Sequence, residues 1–153
     1  MATINAILNI SSADLSSSPL ALTKTMTMTK AGSSNGLEFT SGLVRRKLTA
    51  VTAIDLVTVG EQMYGTPTAS KANKLYVKNT GSSSTDYVEI AIGDSAADSG
   101  EELLATGGNS KITLGKLFGG DWMLIPFEGS TNNDIIVTPS TAEVTTIEWM
   151  LFF

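Results

Sequence analysis

The chain has 153 residues and a formal net charge of −5, and it contains neither histidine nor cysteine. The absence of these two side chains excludes Ser-His-Asp and Cys-His catalysis, zinc sites of ordinary composition and disulfide bonds. Ten basic residues are too few for broad binding to a nucleic-acid backbone, whereas 42% hydrophobic residues are enough for the core of one domain.

A targeting or membrane segment is not expected. No basic residue precedes Lys24, so the N-terminus lacks the charged region of a secretory signal. No apolar run approaches the ~18–20 residues of a membrane span. The sequence therefore predicts a soluble protein that has neither a membrane partner nor a nucleic-acid partner.

The first elements in chain order are two extended segments. Thr3–Ile10 is predicted to be a strand, and a serine-rich break follows it at 11–19. The next run, LALTKTMTMTK, alternates strictly, which places its leucines and methionines on one face and its threonines on the other. The apolar set is Leu20, Leu22, Met26 and Met28. We expect residues 1–19 to form an N-terminal segment able to serve as an arm, and residues 20–153 to form a β-sandwich domain.

The middle of the chain supplies further strands. A long run of β-branched and apolar residues at 47–59 predicts one strand with both faces covered. The segments LYVKN and YVEIAIG predict a β-hairpin, with Leu75 and Val77 facing Val88 and Ile90. Two extended pieces, 111–118 and 121–127, are joined at Gly119-Gly120, a pair suited to a tight turn. Another strand is predicted at 135–138.

The last segment, EVTTIEWMLFF, is apolar on both faces. Alternation sends Trp149 and Leu151 one way and Met150 and Phe152 the other. Either this strand is central in a sheet that is covered on both sides, or Met150 and Phe152 meet another subunit.

These elements predict an all-β protein, an antiparallel β-sandwich or jelly-roll-like single domain of eight or nine strands. Residues 97–105 contain the only plausible helical turn. No catalytic residues are predicted, and we expect neither an enzyme nor a bound cofactor.

Three groups of side chains are candidates for binding. The acidic loop carrying Asp94, Asp98, Glu101 and Glu102 is either a solvated surface loop or a weak cation site, because its spacing does not fit an EF-hand. The basic run Arg45, Arg46 and Lys47 is either a solvated strand start or a contact with an acidic partner or subunit. The aromatic residues Tyr64, Tyr76, Tyr87 and Trp122 are candidates for stacking on a sugar.

A resemblance covers the C-terminal half. The segments KLYVKNTG, YVEIAIG, LGKLFGGDWMLIPFEGST and DIIVTPSTAEVTTIEWMLFF lie within residues 74–153. They resemble small virion proteins of tailed bacteriophages, particularly phages of aquatic bacteria and cyanobacteria.

The resemblance implies a structural protein of the virion, most similar to a capsid cement or decoration protein. Such a protein is made in the host cytoplasm and sits on the capsid surface. It contacts the major capsid protein and copies of itself, typically as a homotrimer, and it carries no catalytic site. The alternatives are a tail-tube, adaptor or fibre-associated subunit, or a β-sandwich that binds a receptor or carbohydrate.

Overall fold

A computed structural model describes residues 3–13, 20–29, 37, 39–49, 51–57, 73–93, 112–126, 134–141 and 145–153. These residues form ten β-strands, and no helix occurs among them. The strands are β1 (Thr3–Ser12), β2 (Leu20–Thr29), β3 (Val44–Leu48), β4 (Ile54–Val57), β5 (Lys74–Asn79), β6 (Tyr87–Gly93), β7 (Ile112–Phe118), β8 (Trp122–Pro126), β9 (Asp134–Pro139) and β10 (Thr145–Phe152). The prediction of an all-β chain is confirmed.

The strands build three antiparallel sheets. Strands β3, β10, β5 and β8, in that order, form sheet 1, and strands β4, β9, β6 and β7 form sheet 2. Strands β3 and β4 hold the same position in the two orders, and so do β9 and β10, β5 and β6, and β7 and β8. This is the strand order of an eight-stranded jelly roll. Strands β1 and β2 form a separate two-stranded sheet.

The core lies between sheets 1 and 2. Strand β5 alternates strictly, with Leu75 and Val77 fully buried and the intervening residues half-buried. Buried side chains of the same cluster come from β6, β9 and β10, among them Ile90, Val137 and Ile147. Full burial of such a side chain contributes about 1.5–3 kcal/mol, so this layer holds the two sheets together.

One long strand was predicted at 47–59, and this prediction is wrong. The run contains the end of β3 and all of β4, and these two strands lie in different sheets. Leu48 enters the core from sheet 1, whereas Leu56 and Val57 enter it from sheet 2. An apolar run has no period that marks where a chain crosses between sheets, and this crossing raises the strand count to ten.

The predicted hairpin between β5 and β6 is also wrong. Strand β5 pairs with β10 and β8, whereas β6 pairs with β7 and β9. Leu75, Val77, Val88 and Ile90 do share one core cluster, but they meet across the sandwich. Residues 80–86 form the connection between the sheets, which pack about 10 Å apart.

The turn at Gly119-Gly120 is confirmed, although it too connects the two sheets. The Asp121 amide donates to the Phe118 carbonyl at 3.0 Å, and Gly120 has φ 91°, a conformation that favours glycine. Next to the turn, the buried Asn79 side-chain amide donates to the Leu117 carbonyl at 3.0 Å and therefore links sheet 1 to sheet 2.

Strand β10 is central, as the first of the two sequence alternatives stated. It lies between β3 and β5, with Ile147, Trp149 and Leu151 in the core. Beyond its end, the Phe39 amide donates to the Phe153 carbonyl at 2.7 Å and the Phe153 amide donates to the Phe39 carbonyl at 3.0 Å. The predicted helical turn at 97–105 lies outside the described residues.

Candidate functional site

Strands β1 and β2 form a ribbon with two unlike faces. The ten-residue strands pair in register, with Ile4 opposite Met28 and Ile10 opposite Leu22. Paired residues share a face in an antiparallel ribbon, so one face is apolar except for Lys24 and, at its far end, Ser12. We call this the apolar face: Ile4, Ala6, Leu8, Ile10, Leu22, Lys24, Met26 and Met28. The other face, which we call the hydroxyl face, carries Asn5, Ile7, Asn9, Ser11, Ala21, Thr23, Thr25 and Thr27. The predicted separation of Leu22, Met26 and Met28 from these threonines is confirmed.

The ribbon is attached to sheet 1 at one end. Met28 is buried in a small cluster with Leu37 and Phe152. Ala6 of the ribbon and Met150 of β10 are partly buried against the same cluster. This cluster lies on the outer face of sheet 1, on the side away from the main core. The boundary drawn at residue 19 falls between the two strands of this ribbon.

The rest of the apolar face is exposed. Ile4, Leu8, Ile10, Leu22 and Met26 keep between 36 and 41% of their surface accessible. A two-stranded ribbon by itself is marginally stable in water, and contiguous exposed apolar patches mark interaction sites in soluble proteins. The sandwich of the same chain therefore covers only part of the apolar face.

A cleft of about 530 Å³ lies between the apolar face and the outer face of sheet 1. This volume falls within the range typical of binding sites, roughly 300–1,000 Å³. On the side of sheet 1 the cleft is lined by Leu43, Tyr76, Trp122, Leu124, Met150 and Phe152. Leu43 and Trp122 are about half exposed, so apolar surface is open to a partner.

The predicted interface residues Met150 and Phe152 both lie on this outer face. Phe152 is buried beneath the ribbon and Met150 is half-buried beside it. Within the chain their apolar surface is therefore covered in part by Met28. What remains open contributes to the cleft.

The three adjacent cations do not share a face. Arg45 and Lys47 pair with Glu148 and Thr146 on the outer face of sheet 1, whereas Arg46 pairs with the core residue Ile147. The Arg46 guanidinium reaches across to sheet 2 and donates to the Asp55 carbonyl at 2.9 Å. Arg46 therefore connects the sheets, and only Arg45 and Lys47 point outward.

A charged row borders the apolar part of the outer face. Arg45, Glu148, Lys78 and Trp122 lie side by side across four strands. The Arg45 Nε donates to Glu148 Oε1 at 2.6 Å. Arg45 is 72% exposed and Glu148 only 13%, so this pair offers a cation to solvent. The next row, of Met150, Tyr76 and Leu124, is apolar and lies beneath the ribbon.

The hydroxyl of Tyr76 stays protonated on this surface. Burial raises the pKa of Tyr76, and the negative charge of Glu148 raises it further. Burial also lowers the pKa of Lys74, on the neighbouring row. With its hydroxyl neutral at physiological pH, Tyr76 adds no charge to the cleft floor that it forms with Met150 and Leu124, and this floor suits an apolar partner.

The structure brings together two of the four aromatic residues proposed for stacking. The ring centres of Tyr76 and Trp122 are 6.3 Å apart. Tyr87 lies on the other sheet, where its ring packs against Phe118 and beneath the Lys116 ammonium, 4.2 Å from the ring centre. Tyr64 lies outside the described residues.

The acidic loop with Asp94, Asp98, Glu101 and Glu102 also lies outside the described residues. Within the part of the chain that the structure describes, no three acidic side chains come together as ligands for a metal ion. In the same residues no helix has the length and apolarity needed to cross a membrane.

Sequence reasoning did not find three of the residues that line the cleft: Ala6, Leu43 and Leu124. Ala6 and Leu124 lie in the apolar-rich segments INAILNI and WMLIP, and Leu43 stands beside Val44, so no strict alternation marks the face that each one takes. Only the strand register, which places Leu124 beside Tyr76, assigns it to this face. Comparisons with protein-family models, curated proteins and solved structures gave no match for the chain.

Proposed function

We propose that this chain is a structural protein of a virion, a capsid cement or decoration protein that stabilises the shell through contacts with it and with other copies of itself. The observation that carries the proposal is the ribbon attached to the jelly roll, whose apolar face extends beyond its own sandwich. Its five exposed apolar side chains need a partner surface.

The jelly-roll fold is compatible with a structural role in a virion but does not identify that role. Jelly rolls occur in viral capsid proteins, lectins and cupins, and a fold alone does not assign a function. The ribbon is the more specific observation, because it adds to the jelly-roll domain an exposed apolar surface that can bind a partner. The resemblance of residues 74–153 to phage virion proteins supplies the setting.

In this proposal the partners are the major capsid protein and further copies of the chain, in a trimer. The outward cations Arg45 and Lys47 suit an acidic patch on the shell. Many weak contacts repeated over a lattice give an avidity that one contact lacks. No catalytic role is assigned to any residue.

The test uses purified virions whose genome encodes the chain. Immunogold labelling with an antibody against the recombinant protein is expected to decorate the head, and quantitative mass spectrometry is expected to find hundreds of copies. Label confined to the tail, with few copies, would replace the proposal by the tail-tube, adaptor or fibre alternative. Absence of the protein from purified virions would reject both the capsid proposal and the tail alternative.

A receptor- or carbohydrate-binding role is the second candidate, favoured by the half-exposed Trp122 beside Tyr76. Aromatic rings of this kind can stack on sugars, and Lys78 and Glu148 in the same row supply polar groups. Glycan-array binding that Trp122→Ala abolishes would support this role. The matched control is Phe39→Ala, at an equally exposed aromatic residue that is not among those lining the cleft. No glycan signal with the wild-type chain, or equal loss in both variants, would reject it.

A further inference from the structure

We infer that the apolar face of the ribbon binds a second copy of this chain, by entering the cleft between that copy's own ribbon and its sheet 1. Each copy then gives one ribbon and receives one. The inference concerns the purified chain and does not depend on the proposed role in the virion.

The chain carries both halves of the proposed contact. The far end of the ribbon presents Leu8, Ile10 and Leu22, each more than one-third exposed. The cleft presents Leu43 and Trp122, each about half exposed. An apolar surface and an apolar cleft on one molecule lead to self-association, closed if the geometry returns to the first copy.

The two surfaces of the proposed contact carry almost no charge. Lys24 is the one charged side chain on the apolar face, and the described residues on its hydroxyl face are uncharged. The cleft floor is formed by Met150, Tyr76 and Leu124, and the Tyr76 hydroxyl is neutral. Docking therefore buries no carboxylate, and the long side chain of the exposed Lys24 can keep its ammonium in water.

The apolar face is large enough for a weak contact between two copies. A ten-residue strand rises about 34 Å and two paired strands are about 10 Å wide, so the flat area of one ribbon face is roughly 340 Å². Without the end anchored by Met28, roughly 270 Å² remains. One such contact is small, but exchange in both directions gives each copy roughly 550 Å². This buried area lies at the low end of the range for protein–protein interfaces, where complexes are weak and reversible. We therefore expect association that depends on concentration.

The test begins with native mass spectrometry and sedimentation of the full chain over a concentration series. The ribbon variant is Ile10→Glu with Leu22→Lys, at two residues that lie opposite each other on the apolar face. Their opposite charges keep a favourable cross-strand pair while the apolar surface is lost. The control, Asn9→Glu with Thr23→Lys, makes the same change at paired residues on the hydroxyl face.

We expect the wild type and the control to associate equally. We expect the ribbon variant to associate about 30-fold more weakly, because both contacts of the exchanged pair lose two apolar side chains. A wild type that stays monomeric at every concentration would overturn the inference. So would equal weakening of the two double variants.

A mixing experiment tests which surface receives the ribbon. The cleft variant is Leu43→Asp, at an exposed residue of the cleft. At about ten times the wild-type dissociation constant, the ribbon variant and the cleft variant should each be mainly monomeric alone, since each lacks one surface of both contacts. Mixed together, they should form a heterodimer through the one intact pair of ribbon and cleft.

Association by pairing of two ribbons predicts the opposite outcome, since the cleft variant would then associate by itself. That result would overturn the assignment of the cleft. Far-ultraviolet circular dichroism of each variant checks that it is folded. If the purified chain associates but the antibody labels no virion, this inference holds and the proposed function is rejected.

Discussion

The jelly roll and the ribbon are built from the same kind of alternating sequence, yet they bury it very differently. In β5, the alternate residues Leu75 and Val77 are fully buried because a second sheet faces them. In β1, Leu8 and Ile10 alternate in the same way and stay about 40% exposed. The comparison teaches that alternation fixes which side of a strand is apolar, while the number of neighbouring layers fixes how much of it is buried.

The largest expected effect comes from truncating the core of the jelly roll. Ile147→Ala removes most of a fully buried side chain and should lower the free energy of unfolding by about 2–5 kcal/mol. Ile10→Ala, the same change on the ribbon, should cost less than about 1 kcal/mol in dilute protein because Ile10 is exposed. Urea unfolding measures both. Equal losses would show that ribbon and sandwich are one cooperative core.

The next effect concerns the turn that joins the two sheets. A Cβ added at Gly119 would stand 2.6 Å from the Ser83 carbonyl oxygen and 2.7 Å from its amide nitrogen. Because backbone has to move, we expect Gly119→Ala to cost about 1–3 kcal/mol in free energy of unfolding.

The matched control for the turn is Gly115→Ala in β7, where an added Cβ meets nothing within 4 Å. It should change the free energy of unfolding by less than about 0.5 kcal/mol. If both variants unfold at the same urea concentration, the close approach of the turn to Ser83 is not a constraint on the fold.

The smallest effect is the titration of Tyr76 at the boundary of the two regions. Its pKa is raised in the folded protein, so the unfolded chain loses this proton at a lower pH. The stability that Tyr76 contributes is therefore complete below the ordinary tyrosine pKa and is lost as the pH rises through the folded value.

Absorbance titration of the wild type against Tyr76→Phe isolates this group. Glu148→Gln should lower the pKa of Tyr76 only in part, because burial is the larger cause. A pKa that returns fully to its ordinary value in Glu148→Gln would show that the ribbon does not shield Tyr76 from water.

The sequence was sufficient to locate most strands but not to predict which strands pair with each other. The period of two predicts β2, β6 and β10 from local residues alone, since it reports which face each side chain takes. It carries no information on the partner strand, and for this reason β5 and β6 were paired wrongly. The seven residues 80–86 between them fit a loop within one sheet as well as a crossing between two sheets.

For a similar reason, only part of the candidate site could be predicted from the sequence. Met150 and Phe152 could be identified because an apolar residue on both faces of one strand is unusual. Their contact with Met28 could not, since more than 100 residues separate them and no local pattern connects the two segments. Arg46 was grouped with Arg45 and Lys47 by adjacency, although adjacent strand residues point to opposite faces.

The methionines of the ribbon and the cleft make this surface sensitive to oxidation. The chain has no cysteine, so its sulfur is carried by six methionines, of which Met26, Met28 and Met150 lie at the cleft. Flexible thioethers adapt to a partner's shape, and oxidation to the sulfoxide makes them polar. Mild peroxide should therefore modify the exposed Met26 before the buried Met28, which peptide mass spectrometry can follow. An oxidant is then expected to weaken the proposed binding of the ribbon to a second copy.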